Sequence, residues 1–151
     1  MDDKDQQILR VLQTDGRISN QDLAERVNLS PSPCLRRLRN LEDRGVIRGY
    51  SADVDAKACG LPLTAYIRIS LSPHSEETVR GFETRVQSLD EVMECHLLTG
   101  RSDYMLRVMV SGLDAYEHFI RHSLQPIPHI ASIDSSFVYG TVKKTNVFPR
   151  G

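Results

Sequence analysis

Cysteine is scarce in this chain. There are three, Cys34, Cys59 and Cys95, an odd number at wide spacing. That excludes a disulfide framework, and without a C-x-x-C pair it excludes a structural zinc site. All three are expected to be reduced thiols packed as small apolar groups. No apolar run approaches the roughly 20 residues of a membrane span, and the opening residues MDDKDQQ lack the basic-then-apolar form of a signal peptide. The expectation is a cytoplasmic, nucleoid-associated chain with no membrane partner. There is no G-x-G-x-x-G, no P-loop and no G-x-S-x-G, and nothing joins a nucleophile to a base. No catalytic residue, metal ligand or cofactor is therefore assigned. His118 and His122 have zinc-like i, i+4 spacing, but the intervening residues are Phe119, Ile120 and Arg121, without the glutamate of H-E-x-x-H. Cys95 and His96 are adjacent, so on a strand they point to opposite faces.

An excess of charge of one sign is also missing, since the net charge is -1 over 151 residues. The average conceals one segment. Between Ser30 and Tyr50, Arg36, Arg37, Arg39, Arg44 and Arg48 face only Glu42 and Asp43, a local surplus of three positive charges. Screening confines each charge to about 8–10 Å, so a partner docking there meets the local field rather than the total.

What is present in the N-terminal third is a succession of helix signals. Ile8, Leu9 and Leu12 recur at helical spacing behind an acidic first turn, with Gly16 beyond. Ser19 and Asp22 form an S-x-x-D cap for a second helix with Leu23, Ala24 and Val27 inward, and Asn28 stands where a tight turn begins. Ser30 or Ser32 can cap a third helix, with Pro31 or Pro33 in its first turn. Spacing puts Cys34, Leu35, Leu38 and Leu41 on its inner side, and Arg36, Asn40, Asp43 and Arg44 outward with Arg37 and Arg39 flanking. Gly45 ends it, and VIRGYSADVD reads as a short strand or wing.

This is the order of a winged helix-turn-helix, whose last helix enters the DNA major groove. Arginine can pair bidentately with guanine O6 and N7, asparagine with adenine N6 and N7. Arg36 and Asn40 suit base contacts. Arg37 suits a phosphate, as do Ser30, Ser32 and the free amides of the helix start, and Arg39, Arg44 and Arg48 complete the DNA-binding set. The bland alternative is a solvated basic face on a helical subdomain.

The remaining two-thirds reads as βαββαβ. LTAYIRISLS alternates Ala65, Ile67, Ile69 and Leu71 against Thr64, Tyr66, Arg68 and Ser70. Val79, Phe82, Val86 and Leu89 form a helical stripe. VMECHLLTG and DYMLRVMVS are strands joined at Gly100, Arg101 and Ser102, and Tyr116, Phe119, Ile120 and Leu124 form a second stripe before the last strand. The fold class is thus α+β: a winged helix-turn-helix over 1–50, a connector over 51–62, and a ferredoxin-like domain over 63–151 with both helices on one sheet face. A second copy covering the other face, as a homodimer, is the economical expectation.

The stretch LSPSPCLRRLRNLEDRGVI closely resembles the DNA-binding domain of the Lrp/AsnC, or feast/famine, transcriptional regulators. ECHLLTGRSDYMLRV is similar to the same family's second signature, in its ligand-responsive (RAM) domain. The resemblance runs from about Asp3 to Pro149. It implies a regulator that binds double-stranded DNA, dimerises through the second domain, can assemble to octamers, and takes an amino-acid effector between dimers. It implies an effector loop of Thr99, Gly100, Arg101, Ser102, Asp103 and Tyr104, with Ser135 and Ser136 as further candidates. Gly100, Asp103 and Tyr104 match the family's loop, whereas Arg101 stands where an acid is common. Two other classes compete: a ligand-sensing protein-interaction module, which has no need of Ser30–Arg48, and a nucleoid-organising protein without an effector.

Overall fold

A computed structural model describes residues 1–149. The chain divides into two compact units, Met1–Asp53 together with the C-terminal residues from Val142, and Val54–Thr141.

The first unit holds α1 (Asp3–Thr14), α2 (Asn20–Arg26) and α3 (Pro31–Asp43). Asp2 caps α1 in a reciprocal box with Asp5, and Ser19 caps α2 through the Asp22 amide. The backbone of Asn28 takes φ 53, the left-handed turn that lets α3 follow α2 after so few residues. Ile8, Leu23, Ala24, Val27, Cys34 and Leu41 form the core, with Leu38 and Ile47 packed against it. Polar contacts fix the helices further. Lys4 Nζ donates to the Val27 carbonyl at 2.5 Å, and Asn20 Nδ2 donates to the Pro31 carbonyl at 3.0 Å.

The expected wing strand does not form. After Gly45 (φ 68), the amides of Val46 and Ile47 both turn back to the Leu41 carbonyl, at 3.0 and 3.1 Å. These residues close the end of α3 instead of extending into a ladder. No strand lies between α3 and Leu63 among the described residues.

The second unit is β1 (Leu63–Leu71), α4 (Glu76–Gln87), β2 (Val92–Leu97), β3 (Tyr104–Val110), α5 (Leu113–Phe119), a π-helical turn (Ile120–Leu124) and β4 (Ile130–Phe137). The sheet is antiparallel in the order β2-β3-β1-β4, the ferredoxin-like arrangement. Ala65, Ile67, Ile69 and Leu71 of β1, and Tyr104, Leu106, Val108 and Val110 of β3, face the helices and meet Phe82, Val86, Phe119 and Leu124. The opposite face carries Tyr66, Arg68, Met105, Arg107 and Met109. It is laced with ion pairs, Arg107–Glu94 at 2.7 Å and Arg68–Asp134 at 3.6 Å, so it is more polar than β1 alone suggested. Of the cysteines only Cys34 is buried. Cys59 and Cys95 are exposed, one in the connector and one on the edge strand β2, which corrects the expectation that all three pack inside.

Candidate nucleic-acid interface and effector loop

The two prolines start α3 without breaking it. Pro31 occupies the first helical position, where a backbone N–H would have no intrahelical partner. Ser30 is the N-cap by backbone geometry, yet its side chain makes no capping hydrogen bond. Its hydroxyl is thus available to an outside acceptor. Pro33 removes another amide, so within Pro31–Pro33 only Ser32 offers an N–H. The amide cradle foreseen for a phosphate is correspondingly thinner.

The outer face of α3 gathers Ser32, Leu35, Arg36, Arg39, Asn40 and Asp43 around an open concavity of about 400 Å³. Arg36, Arg39 and Asn40 are exposed, and neither Arg36 nor Arg39 has an ion-pair partner among the described residues. Arg44 is the C-cap, close enough to Asn40 Oδ1 (3.4 Å) to orient its amide. Arg48 is exposed beyond the helix. Nearby, the Tyr50 hydroxyl donates to Glu42 at 2.8 Å, and burial together with that carboxylate pushes its pKa up to about 12.

Arg37 has a different place from its neighbours. Its guanidinium donates to Asp2 at 2.7 Å and Asp5 at 2.8 Å, tying α3 to the start of α1. These ion pairs commit the Arg37 guanidinium to a contact within the domain, unlike Arg36 and Arg39. The Asp5 amide and the Arg37 fork hold the Asp2 carboxyl below its ordinary range. A depressed carboxylate contributes stability above its unfolded pKa of about 3.9, and that contribution fades as pH falls through the folded value. Arg37→Met is accordingly expected to lower stability at neutral pH and to flatten the acid limb below about pH 4. The salt dependence of DNA binding stays close to wild type. Denaturation midpoints across pH, with binding at two salt concentrations, check both halves.

In the second unit, Thr99–Asp103 form the tight turn between β2 and β3. The Leu98 amide donates to the Asp103 carbonyl (2.8 Å), and Gly100 takes φ 123. Asp103 ties this turn to the end of β1. Its carboxylate accepts the Leu71 amide at 2.7 Å and pairs with His74 at 3.2 Å, while its own amide donates to the Ile69 carbonyl. Arg101 is exposed at the tip, and its carbonyl lies 3.4 Å from Ser70 Oγ.

The other effector candidates do not join them. Tyr104 is 2% exposed, stacked on Phe82 with centroids 4.7 Å apart and donating to Glu83 at 2.8 Å. Burial pushes its phenol pKa well up, and the Glu83 carboxylate adds to the shift. Ser135 pairs in register with buried Ile67 and accepts from the Tyr116 hydroxyl, whereas Ser136 pairs with exposed Tyr66. The two serines thus lie on opposite faces of the sheet, because strand neighbours alternate. A larger open groove of about 810 Å³ runs along α4, lined by residues such as Glu77, Arg80 and Gly81 and by none of the loop. His118 and His122 stack with ring centroids 4.4 Å apart. Among the described residues no group of three metal-ligating side chains converges, and no helix is long and apolar enough to cross a membrane.

Residues 64–148 match the family described as the Lrp/AsnC ligand binding domain, and residues 1–48 match a winged helix-turn-helix DNA-binding family. The transcriptional regulator AzlB of Bacillus subtilis is 40% identical over 149 residues, covering 99% of this chain and 95% of the relative. The leucine-responsive regulatory protein of Escherichia coli K12 is 38% identical over 146 residues, covering 97% and 89%. Among solved structures, a Neisseria meningitidis transcriptional regulator in complex with L-Met superposes with a TM-score of 0.95 at 40% identity, covering 99% of this chain and 96% of that one. E. coli AsnC gives 0.87 at 28%, covering 95% of each.

Proposed function

Because this chain belongs to the Lrp/AsnC family of transcriptional regulators, we propose that it reads specific double-stranded DNA through the outer face of α3 and answers to an amino acid. The observation that carries the first half is the division of labour on α3. Arg37 is held by Asp2 and Asp5, while Arg36 and Arg39, without ion-pair partners among the described residues, line one concavity with Asn40, whose Oδ1 accepts from Arg44. Arg36 and Asn40 supply base contacts. Arg39, Arg44 and Arg48, with the hydroxyls of Ser30 and Ser32, supply phosphate contacts. Two copies joined through the open sheet face would present two reading helices to half-sites about one helical turn apart. The chain acts by binding and carries out no reaction.

The effector half rests on the family's ligand-binding domain and on the L-Met carried by the Neisseria relative. The effector is an apolar amino acid held at Thr99–Asp103, with the site completed by another copy. Within one chain Tyr104 is core, and Ser135 is occupied by Tyr116. Arg101 places a positive charge at the tip, which suits the effector's carboxylate better than its amino group.

Thermal shifts against the twenty amino acids test this reading. One or a few apolar amino acids are expected to raise the melting temperature, in line with about 2.7 kcal/mol of stabilisation at a hundred times Kd. The same compounds should change the mobility of DNA complexes at fixed salt. A flat panel with intact DNA binding overturns the effector half and favours an architectural DNA-binding protein.

A further inference from the structure

Leu35 is out of place for a core residue. It lies one position, about 100°, round the helix from Cys34. Spacing alone groups it with Cys34, Leu38 and Leu41. Yet Cys34 and Leu41 are fully buried and Leu38 packs against them, while Leu35 is neither in that core nor among the side chains packed on it. It is half-buried on the outer concavity, in the company of Ser32, Arg36, Arg39, Asn40 and Asp43. It is the one apolar side chain lining that concavity among the described residues.

The chemistry of the major groove gives such a residue one natural partner. Every base pair presents hydrogen-bond donors and acceptors there, and thymine alone adds an apolar group, its C5-methyl. A leucine pressed against a donor or acceptor edge removes that edge from water without pairing it, which is unfavourable. Against a methyl it buries apolar surface on both sides. Resting on the proposed reading role of α3, we propose that Leu35 recognises the C5-methyl of a thymine in each half-site. Arg39 is its i+4 neighbour on the helix surface, about 5–6 Å away. The thymine therefore lies within about two base steps of the contact made by Arg39.

The test needs a duplex of known sequence, such as the tightest binder recovered from random DNA by selection with the full-length protein. Each thymine of that duplex is replaced in turn by deoxyuridine, which keeps every hydrogen-bonding edge and removes only the methyl. The wild-type protein is expected to show one sensitive thymine per half-site, with about four-fold weaker binding for a group of this size. Replacing both should give roughly 15-fold. Leu35→Ala should bind the thymine duplex more weakly and show no further loss on deoxyuridine substitution at those two positions.

A flat scan with wild-type protein overturns the proposal, as does a selected half-site without thymine. So does an unchanged deoxyuridine penalty in Leu35→Ala. The wild-type scan requires no variant to fold. Failure of the underlying reading role looks different: Arg36→Ala would then bind the selected duplex as well as wild type. Failure of the Leu35 assignment alone leaves the Arg36 effect intact.

Discussion

Arg36→Ala is expected to weaken binding to a selected duplex by roughly 1–3 kcal/mol at fixed salt and to relax preference at the base pair it contacts. The expectation follows from what Arg36 does not do inside the protein. It is exposed, it lines the concavity on α3, and it has no ion-pair partner among the described residues. Its removal should leave folding stability within about 0.5 kcal/mol of wild type, as for other surface substitutions. Arg36→Lys keeps the charge and loses the planar fork, so it should recover non-specific binding but not specificity. Competition titrations against scrambled duplex separate the two. Equal losses on specific and scrambled DNA would make Arg36 a phosphate contact.

The second large effect lies in the other unit. Tyr104→Ala is expected to destabilise the ferredoxin-like domain by about 3–5 kcal/mol, the usual cost of truncating a buried aromatic. The ring is enclosed, packed on Phe82, and anchored by its hydroxyl to Glu83. Tyr104→Phe keeps the packing and gives up one hydrogen bond, about 0.5–1.5 kcal/mol. Chemical denaturation of the three proteins yields both numbers. If Tyr104 instead touched the effector directly, Tyr104→Phe would abolish the amino-acid response while leaving the unfolding midpoint in place.

Much of this architecture follows from patterning that a reader of the sequence can see. The alternation in Leu63–Leu71 fixed which side of β1 is buried, and the structure buries Ala65, Ile67, Ile69 and Leu71 as that alternation requires. Asn28 and the serine–proline start of α3 placed the turn and the third helix.

Several residues sit otherwise than their pattern alone suggests, some through contacts distant in sequence and some through a local angle or alternation. Arg37 looks like its neighbours until α1 brings Asp2 and Asp5 beside it, more than 30 positions away in the chain. Leu35 counts as core by hydrophobicity, but its angle on the helix leaves it just past the edge of the buried stripe. The wing needed a partner strand, and a single extended segment has no ladder to join, so Val46 and Ile47 close the helix end. Tyr104 and Ser135 sit where a sequence motif points, yet β3 and β4 turn both toward the helical layer. One signal for Tyr104 was available. It opens the alternation Tyr104, Leu106, Val108, Val110, which marks it as facing inward.

The central claim is that the outer face of α3, with Arg36 at its middle, reads bases in the major groove. Dimethyl sulfate footprinting on a selected duplex tests it most directly, because the reagent methylates guanine N7, an atom that arginine covers when it reads that base. The account predicts protected guanines in two half-sites about 10 base pairs apart, with protection lost at matching positions in Arg36→Ala. Binding without guanine protection, or protection unchanged in Arg36→Ala, would contradict it.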